Sequence, residues 1–125
     1  MPDAIGAASS QAIAIRPIGR ADAAAWRRLF RAHADDAGEP VTDEGTDTVW
    51  NWLQDPAAPI TGFLAWPAPD VAAGLVHVQA IYRTRPGKPM GYMSDLYVRP
   101  EWRGRGIAHA LVSAVRTLAG TRDWD

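Results

Sequence analysis

Between Tyr92 and Leu118 the chain carries an apolar run, Met93-Ser94-Asp95-Leu96-Tyr97-Val98, then Arg103-Gly104-Arg105-Gly106-Ile107-Ala108, then a stretch with helical periodicity. A strand that turns through glycines into a helix makes an anion cradle. The first N–H groups of such a helix lack intrahelical partners, the aligned peptide dipoles place positive potential there, and Arg103 and Arg105 add full charges. The segment predicts a seat for a pyrophosphate.

The residue types fit that geometry. Gly106 has no Cβ, so phosphate oxygens can approach the main chain and the turn can take dihedrals that other residues resist. Ala108 keeps the first helical turn low. Pro100 has no N–H to donate and biases Arg99 toward extended geometry, so strand pairing is expected to stop there. Ile107, Ala110, Leu111, Ala114, Val115 and Leu118 share one helical face, whereas His109, Ser113 and Arg116 lie on the other.

Rival readings of these glycines fare worse. A nucleotide P-loop needs Gly-Lys-Ser/Thr, which occurs nowhere in the chain. A dinucleotide fingerprint needs glycine where His109 stands, although Asp123 falls near the distance expected for a ribose-binding acid. A surface turn with two solvated arginines stays open, but the flanking strand and helix argue against it.

Arg103, two residues, Gly106, one residue, Ala108 matches the R/Q-x-x-G-x-G/A pattern of the GNAT acetyltransferases, and Asp95-Leu96-Tyr97-Val98-Arg99-Pro100 is similar to the strand and loop before it. The chain therefore resembles the GNAT superfamily, most closely over residues 92–118. The resemblance implies transfer of an acetyl group from acetyl-CoA to a primary amine, of a small molecule, a polyamine or a protein, by direct attack in a ternary complex. It implies that the main chain of Leu96, Tyr97 and Val98 binds the pantetheine arm as an added strand would be bound. Amides of Arg103, Gly104, Arg105, Gly106, Ile107 and Ala108 would hold the pyrophosphate. The Val98 N–H would serve the thioester oxygen as charge develops on it.

An alkylamine has a pKa of about 10.4, so the reaction needs a group that takes its proton. Asp95, placed by strand alternation on the face opposite Leu96, is the candidate general base, working through water. The competing reading is that Asp95 anchors a neighbouring loop by hydrogen bonds.

With 125 residues, 47% of them hydrophobic, the chain suits one core. A flexible leader is expected over residues 1–11 and a single domain over 12–125. A formal charge of -1 argues against a general grip on nucleic acid. The lack of cysteine excludes disulfides and thiolate chemistry. His33, His77 and His109 show no ligand spacing, so no metal is expected. No apolar run approaches the roughly 20 residues needed to span a bilayer, nor does the N-terminus read as a signal segment. A cytoplasmic protein is the expectation.

Along the chain, Ala12 to Arg16 reads as a short strand closed by Pro17. A helix capped by Asp22 comes next, with Trp26, Leu29, Phe30, His33 and Ala34 on one face and His33 at the core edge. A second helix is expected over Thr46 to Gln54, with Val49, Trp50 and Leu53 inward and Trp52 pointing elsewhere. Strands are expected at Thr61 to Trp66, Ala72 to Tyr82 and Gly91 to Val98, the last two separated by a loop from Arg83 to Pro89. The order β-α-α-β-β-β-α is that of the N-terminal portion of the GNAT fold, an α/β (α+β, mixed sheet) class.

Family members usually continue with further strands and a helix carrying a tyrosine acid, and no such segment comes after Gly120. This predicts either sheet completion by a second copy in a homodimer or a non-catalytic CoA-binding remnant. Asp35, Asp36, Glu39, Asp43, Glu44 and Asp47 crowd the region between the first two helices. They read as a rim attracting a cationic amine, or as an ordinary solvated loop with capping acids.

Overall fold

The computed structural model describes residues 13–124, so the leader expected over 1–11 lies outside the described residues. The elements are β1 (Ala14–Pro17), α1 (Ala23–Asp36), α2 (Asp43–Gln54), β2 (Ile60–Trp66), β3 (Gly74–Arg83), β4 (Lys88–Val98) and α3 (Ile107–Thr121). Short 3-10 turns precede α1 at Arg20–Asp22 and succeed β4 at Pro100–Trp102. Their order is the expected one. The four strands form one sheet, β1-β2-β3-β4, in which every pairing is antiparallel.

Helices cover both faces of this sheet, which explains why residues 72–78 are all buried. On one side Trp26, Leu29 and Phe30 of α1 pack against Leu64, Leu75 and Tyr97. On the other, Ile107, Leu111 and Val115 of α3 pack against Ala65, Val76, Val78 and Val98. Period-2 alternation along β3 therefore sends Leu75 and His77 toward α1, and Val76 and Val78 toward α3.

Several boundaries differ from expectation for local reasons. Pro17 does not close β1 but belongs to it, opposite Phe63. An edge strand tolerates a proline because one side of its ladder is unpaired. Asp22 precedes α1 but makes no side-chain cap; its carboxylate accepts from Gly19 N–H at 2.7 Å. Helix α2 starts three residues before the expected Thr46, because the Thr42 hydroxyl accepts from Gly45 N–H at 2.9 Å. The expected loop from Arg83 to Pro89 is a tight hairpin in which Arg83 already faces Lys88 and Tyr82 faces Pro89. Gly87, at φ +69°, makes that turn.

Two features of the sheet set the positions of polar and helical groups around it. His77 faces Asp95 but Val78 faces Met93, so Ser94 is an extra residue in β4, a β-bulge. The bulge turns Asp95 to the α1 side with His77 while Met93 shares the α3 side with Val78. At Gly74, a Cβ would stand 2.9 Å from the Tyr97 carbonyl oxygen and 3.2 Å from Ile107 and Leu111 side-chain carbons. Helix α3 thus rests directly on backbone. Among the described residues no helix is long and apolar enough to cross a membrane.

Candidate active site

The strand, glycine turn and helix lie where the sequence predicts them. After the 3-10 turn the chain passes through Gly104 at φ +76° and Gly106 at φ +83°, both in the left-handed region that favours glycine. The N–H of Ala110 bonds to the Gly106 carbonyl at 3.0 Å, so the N–H groups of Ile107, Ala108 and His109 precede the first bond of α3. A Cβ on either glycine would meet nothing within 4 Å, which leaves the space over these donors open. All the expected binding residues except Arg105 line a cleft of about 380 Å³, joined by Trp102 and His109.

The two arginines are used differently from a pair of free charges. Arg103 Nε–H donates to the Val98 carbonyl at 2.8 Å, and its guanidinium lies 3.4 Å from Asp36 and over the Tyr97 ring at 5.7 Å. Arg105 leaves the cleft and stacks over Trp102 at 4.7 Å. Main-chain N–H groups are therefore the donors left facing the cleft. Strand β4 ends the sheet, and Arg99 N–H bonds to the Ala73 carbonyl at 2.8 Å. Alternation then directs the N–H and C=O groups of Leu96 and Val98 to the open edge. Arg103 occupies the Val98 carbonyl, and the Val98 N–H faces the cleft side.

A second polar assembly lies on the α1 side of the same strand. Trp26 Nε1–H donates to His77 Nε2 at 2.9 Å. Because Nε2 accepts, the ring proton of His77 is on Nδ1, which donates to Asp95 Oδ2 at 2.9 Å. The other carboxylate oxygen, Oδ1, lies 3.0 Å from His33 Nε2, and a carboxylate only accepts, so His33 carries its proton on Nε2. The hydrogen bond from His77 holds the Asp95 carboxyl below its usual value, against partial burial that raises it, and His33 adds to the lowering. Burial, with the Asp36 charge adding to it, pushes the neighbouring Tyr97 phenol up.

Packing fixes this chain of four side chains. Trp26 and His77 are fully enclosed, Phe30 stacks on Trp26 at 5.0 Å, and the His33 and Tyr97 rings lie 5.4 Å apart. Gly62 makes room for His77: a Cβ there would stand 2.6 Å from the Val76 carbonyl oxygen and 3.0 Å from the imidazole. The histidines come from elements far apart in sequence, so their spacing carried no sign of this meeting. Placing His77 opposite Asp95 requires the bulge at Ser94. The inward setting of His33, seven residues after Trp26, was the one visible hint.

The acidic region is partly neutralised. Asp43 pairs with Arg31 at 2.7 Å, Asp47 with Arg27, and Asp36 with Arg103, while Asp35, Glu39 and Glu44 stay exposed. Trp50 packs on Trp26 at 5.3 Å, whereas Trp52 is exposed. Among the described residues no group of three or more His, Asp or Glu is placed to hold a metal ion.

The acetyltransferase (GNAT) family pattern matches residues 26–123. The chain is similar to the aminoglycoside N(6')-acetyltransferase type 1 of Stenotrophomonas maltophilia, with 35% identity over 112 residues, covering 87% of this chain and 67% of that protein. Among solved structures it is similar to a ribosomal-protein-alanine N-acetyltransferase from Brucella melitensis biovar Abortus 2308, at TM-score 0.73 and 23% identity, covering 91% of this chain and 76% of that one. It is similar also to the aminoglycoside acetyltransferase AAC(6')-Iy in complex with a CoA-linked bisubstrate analog, at TM-score 0.74 and 23% identity, covering 90% and 74%. A pattern that spans most of the chain, together with a glycine cradle at the end of the edge strand, places this protein in the GNAT family, the acetyl-CoA-dependent N-acetyltransferases.

Proposed function

We propose that this protein acetylates a primary amine of a small cationic acceptor of the aminoglycoside type, using acetyl-CoA as donor. The observation that carries the reading is the open row of main-chain donors from Gly104 to His109 beside the free edge of β4. Those N–H groups would hold the pyrophosphate, and the open edge at Leu96 and Val98 would take the pantetheine as an added strand. Hydrogen bonds to charged groups are worth roughly 1.5–3 kcal/mol each, so three or four together could supply micromolar binding before the entropy of association is counted.

Bound acetyl-CoA supplies an activated acyl group. The chain's own tasks are then to place that group and to receive charge. The Val98 N–H, fixed in the strand, would donate to the carbonyl oxygen as it becomes negative, at no cost of reorganisation. Asp95, the candidate base from sequence, has a histidine on each oxygen and a lowered proton affinity. That engagement supports a positioning role for it over direct proton abstraction. The acceptor class is supported by the 35% identical relative and by the exposed acids Asp35, Glu39 and Glu44.

The test is calorimetric titration with acetyl-CoA, and then thiol release in the presence of an aminoglycoside bearing a free 6'-amine. Micromolar binding with turnover is expected. Binding without turnover on aminoglycosides, polyamines or peptide amines would favour a CoA-binding module without chemistry. Failure of the folded chain to bind acetyl-CoA would remove the reading.

A further inference from the structure

Resting on the acetyl-transfer reading, we infer that His33 takes the proton of the attacking amine, with Asp95, His77 and Trp26 as positioning residues behind it. Of the ring nitrogens in this assembly, His33 Nδ1 is the one with an unused lone pair. Its Nε2 is spent on Asp95, Nδ1 has no hydrogen-bond partner among the described residues, and 23% of the side chain stays exposed. Trp26 and His77 are closed to solvent, and Asp95, although as exposed as His33, has a histidine on each oxygen. A base needs a reachable lone pair and a fixed ring, and this arrangement supplies both.

Each link behind His33 sets the next. The indole N–H of Trp26 fixes the His77 tautomer, the His77 Nδ1–H turns the Asp95 carboxylate, and Asp95 Oδ1 holds the His33 proton on Nε2. Nδ1 is left to accept. The other ionisable groups around this ring are Asp36 one turn along α1, Tyr97 on β4, His77 on β3 and Arg103 from the cradle. Asp36 and Arg103 neutralise each other in part, which leaves Asp95 as the dominant charge on His33.

Location agrees with the role. Asp95 precedes Val98 by three strand residues, about 10 Å, and the His33 ring lies 5.4 Å from that of Tyr97, the residue before Val98, so a proton leaving an amine beside the Val98 N–H would reach Nδ1 through a short file of waters. In the balanced step an ammonium proton passes to Nδ1 and then to solvent, the amine nitrogen bonds to the acyl carbon, and the carbon–sulfur bond breaks. The remaining proton lost by nitrogen ends on the departing thiolate.

Two experiments test the inference, one of them independent of turnover. Nitrogen-15 NMR of the free protein should show opposite tautomers, with Nε2 protonated at His33 and Nδ1 protonated at His77. An Nδ1–H tautomer at His33 would overturn the assignment. In kinetics, His33→Gln should lower kcat about 100-fold or more while the Kd for acetyl-CoA changes less than about threefold. Added imidazole should restore part of the rate to His33→Ala, with substituted imidazoles acting in order of base strength. An unchanged kcat, or a folded His33→Ala without rescue, would sink the base role alone. Acetyl-CoA binding by a wild-type chain that acetylates no amine would remove the transfer reading, and this role with it.

Discussion

The two polar regions on either side of β4 are built on opposite plans. The cradle is main chain: its donors are consecutive, its left-handed glycines have empty space above them, and its arginines are tied up elsewhere. The Trp26–His77–Asp95–His33 assembly is side chain: three elements contribute, its inner members are buried, and each internal hydrogen bond has a named donor and acceptor. The cradle should therefore be indifferent to side-chain identity but intolerant of a change in backbone shape. The assembly should be the reverse, since deleting Trp26, His77 or Asp95 leaves a buried polar partner unsatisfied.

The largest expected effect separates these plans at once. Gly106→Val, forced toward a different φ and carrying bulk into the open space, should weaken acetyl-CoA binding about 100-fold or more in calorimetry, equivalent to about 2.7 kcal/mol. A loss below tenfold in a folded variant would mean that backbone shape is not what holds the ligand. Next comes His77→Phe, which strands the Trp26 indole N–H and one Asp95 oxygen. It should cost about 1–3 kcal/mol in urea unfolding while acetyl-CoA affinity is nearly kept. Equal loss of stability and affinity would merge the two regions into one.

A pH experiment sharpens the same contrast. The folded Asp95 pKa lies below its unfolded value, so its stabilisation is complete above about pH 4 and is lost as pH falls through the folded pKa. The stability gap between wild type and Asp95→Asn should accordingly shrink from pH 6 to pH 3, and a gap that widens on acidification would reverse the assigned sign. The smallest effect belongs to Arg105→Ala. It removes a stacked surface cation and should weaken acetyl-CoA binding by no more than about fivefold. A loss matching that of Gly106→Val would return the leading role to the charge.

The same contrast explains what could be read from sequence. The cradle is contiguous, and Gly104, Gly106 and Pro100 each announce a local backbone requirement, so its place and form were legible. Element order and the inward faces of α1 and α3 came from periodicity. The His33–Asp95–His77 meeting was not legible, because it depends on a one-residue bulge that reverses the alternation of β4 at Ser94. No propensity of Ser94 itself signals that reversal. The start of α2 was set three residues late, because the Thr42 cap that fixes it rests on a single hydrogen bond to Gly45 N–H. The use of Arg103 as a clip on Val98 was equally hidden, since a cation beside a glycine turn reads first as a ligand for anions.

Gly74 gives the molecule a fulcrum. Ile107 and Leu111 bear on it together, so a rocking motion of α3 would pivot near His109. The first donors of the helix lie within about 3 Å of that pivot along the axis, and Thr121 lies about 18 Å away. A given tilt would move the far end about six times as far as the cradle end. A change at the C-terminal turn, where Trp124 seats on Gly91, would thus displace the cradle end far less than the turn itself.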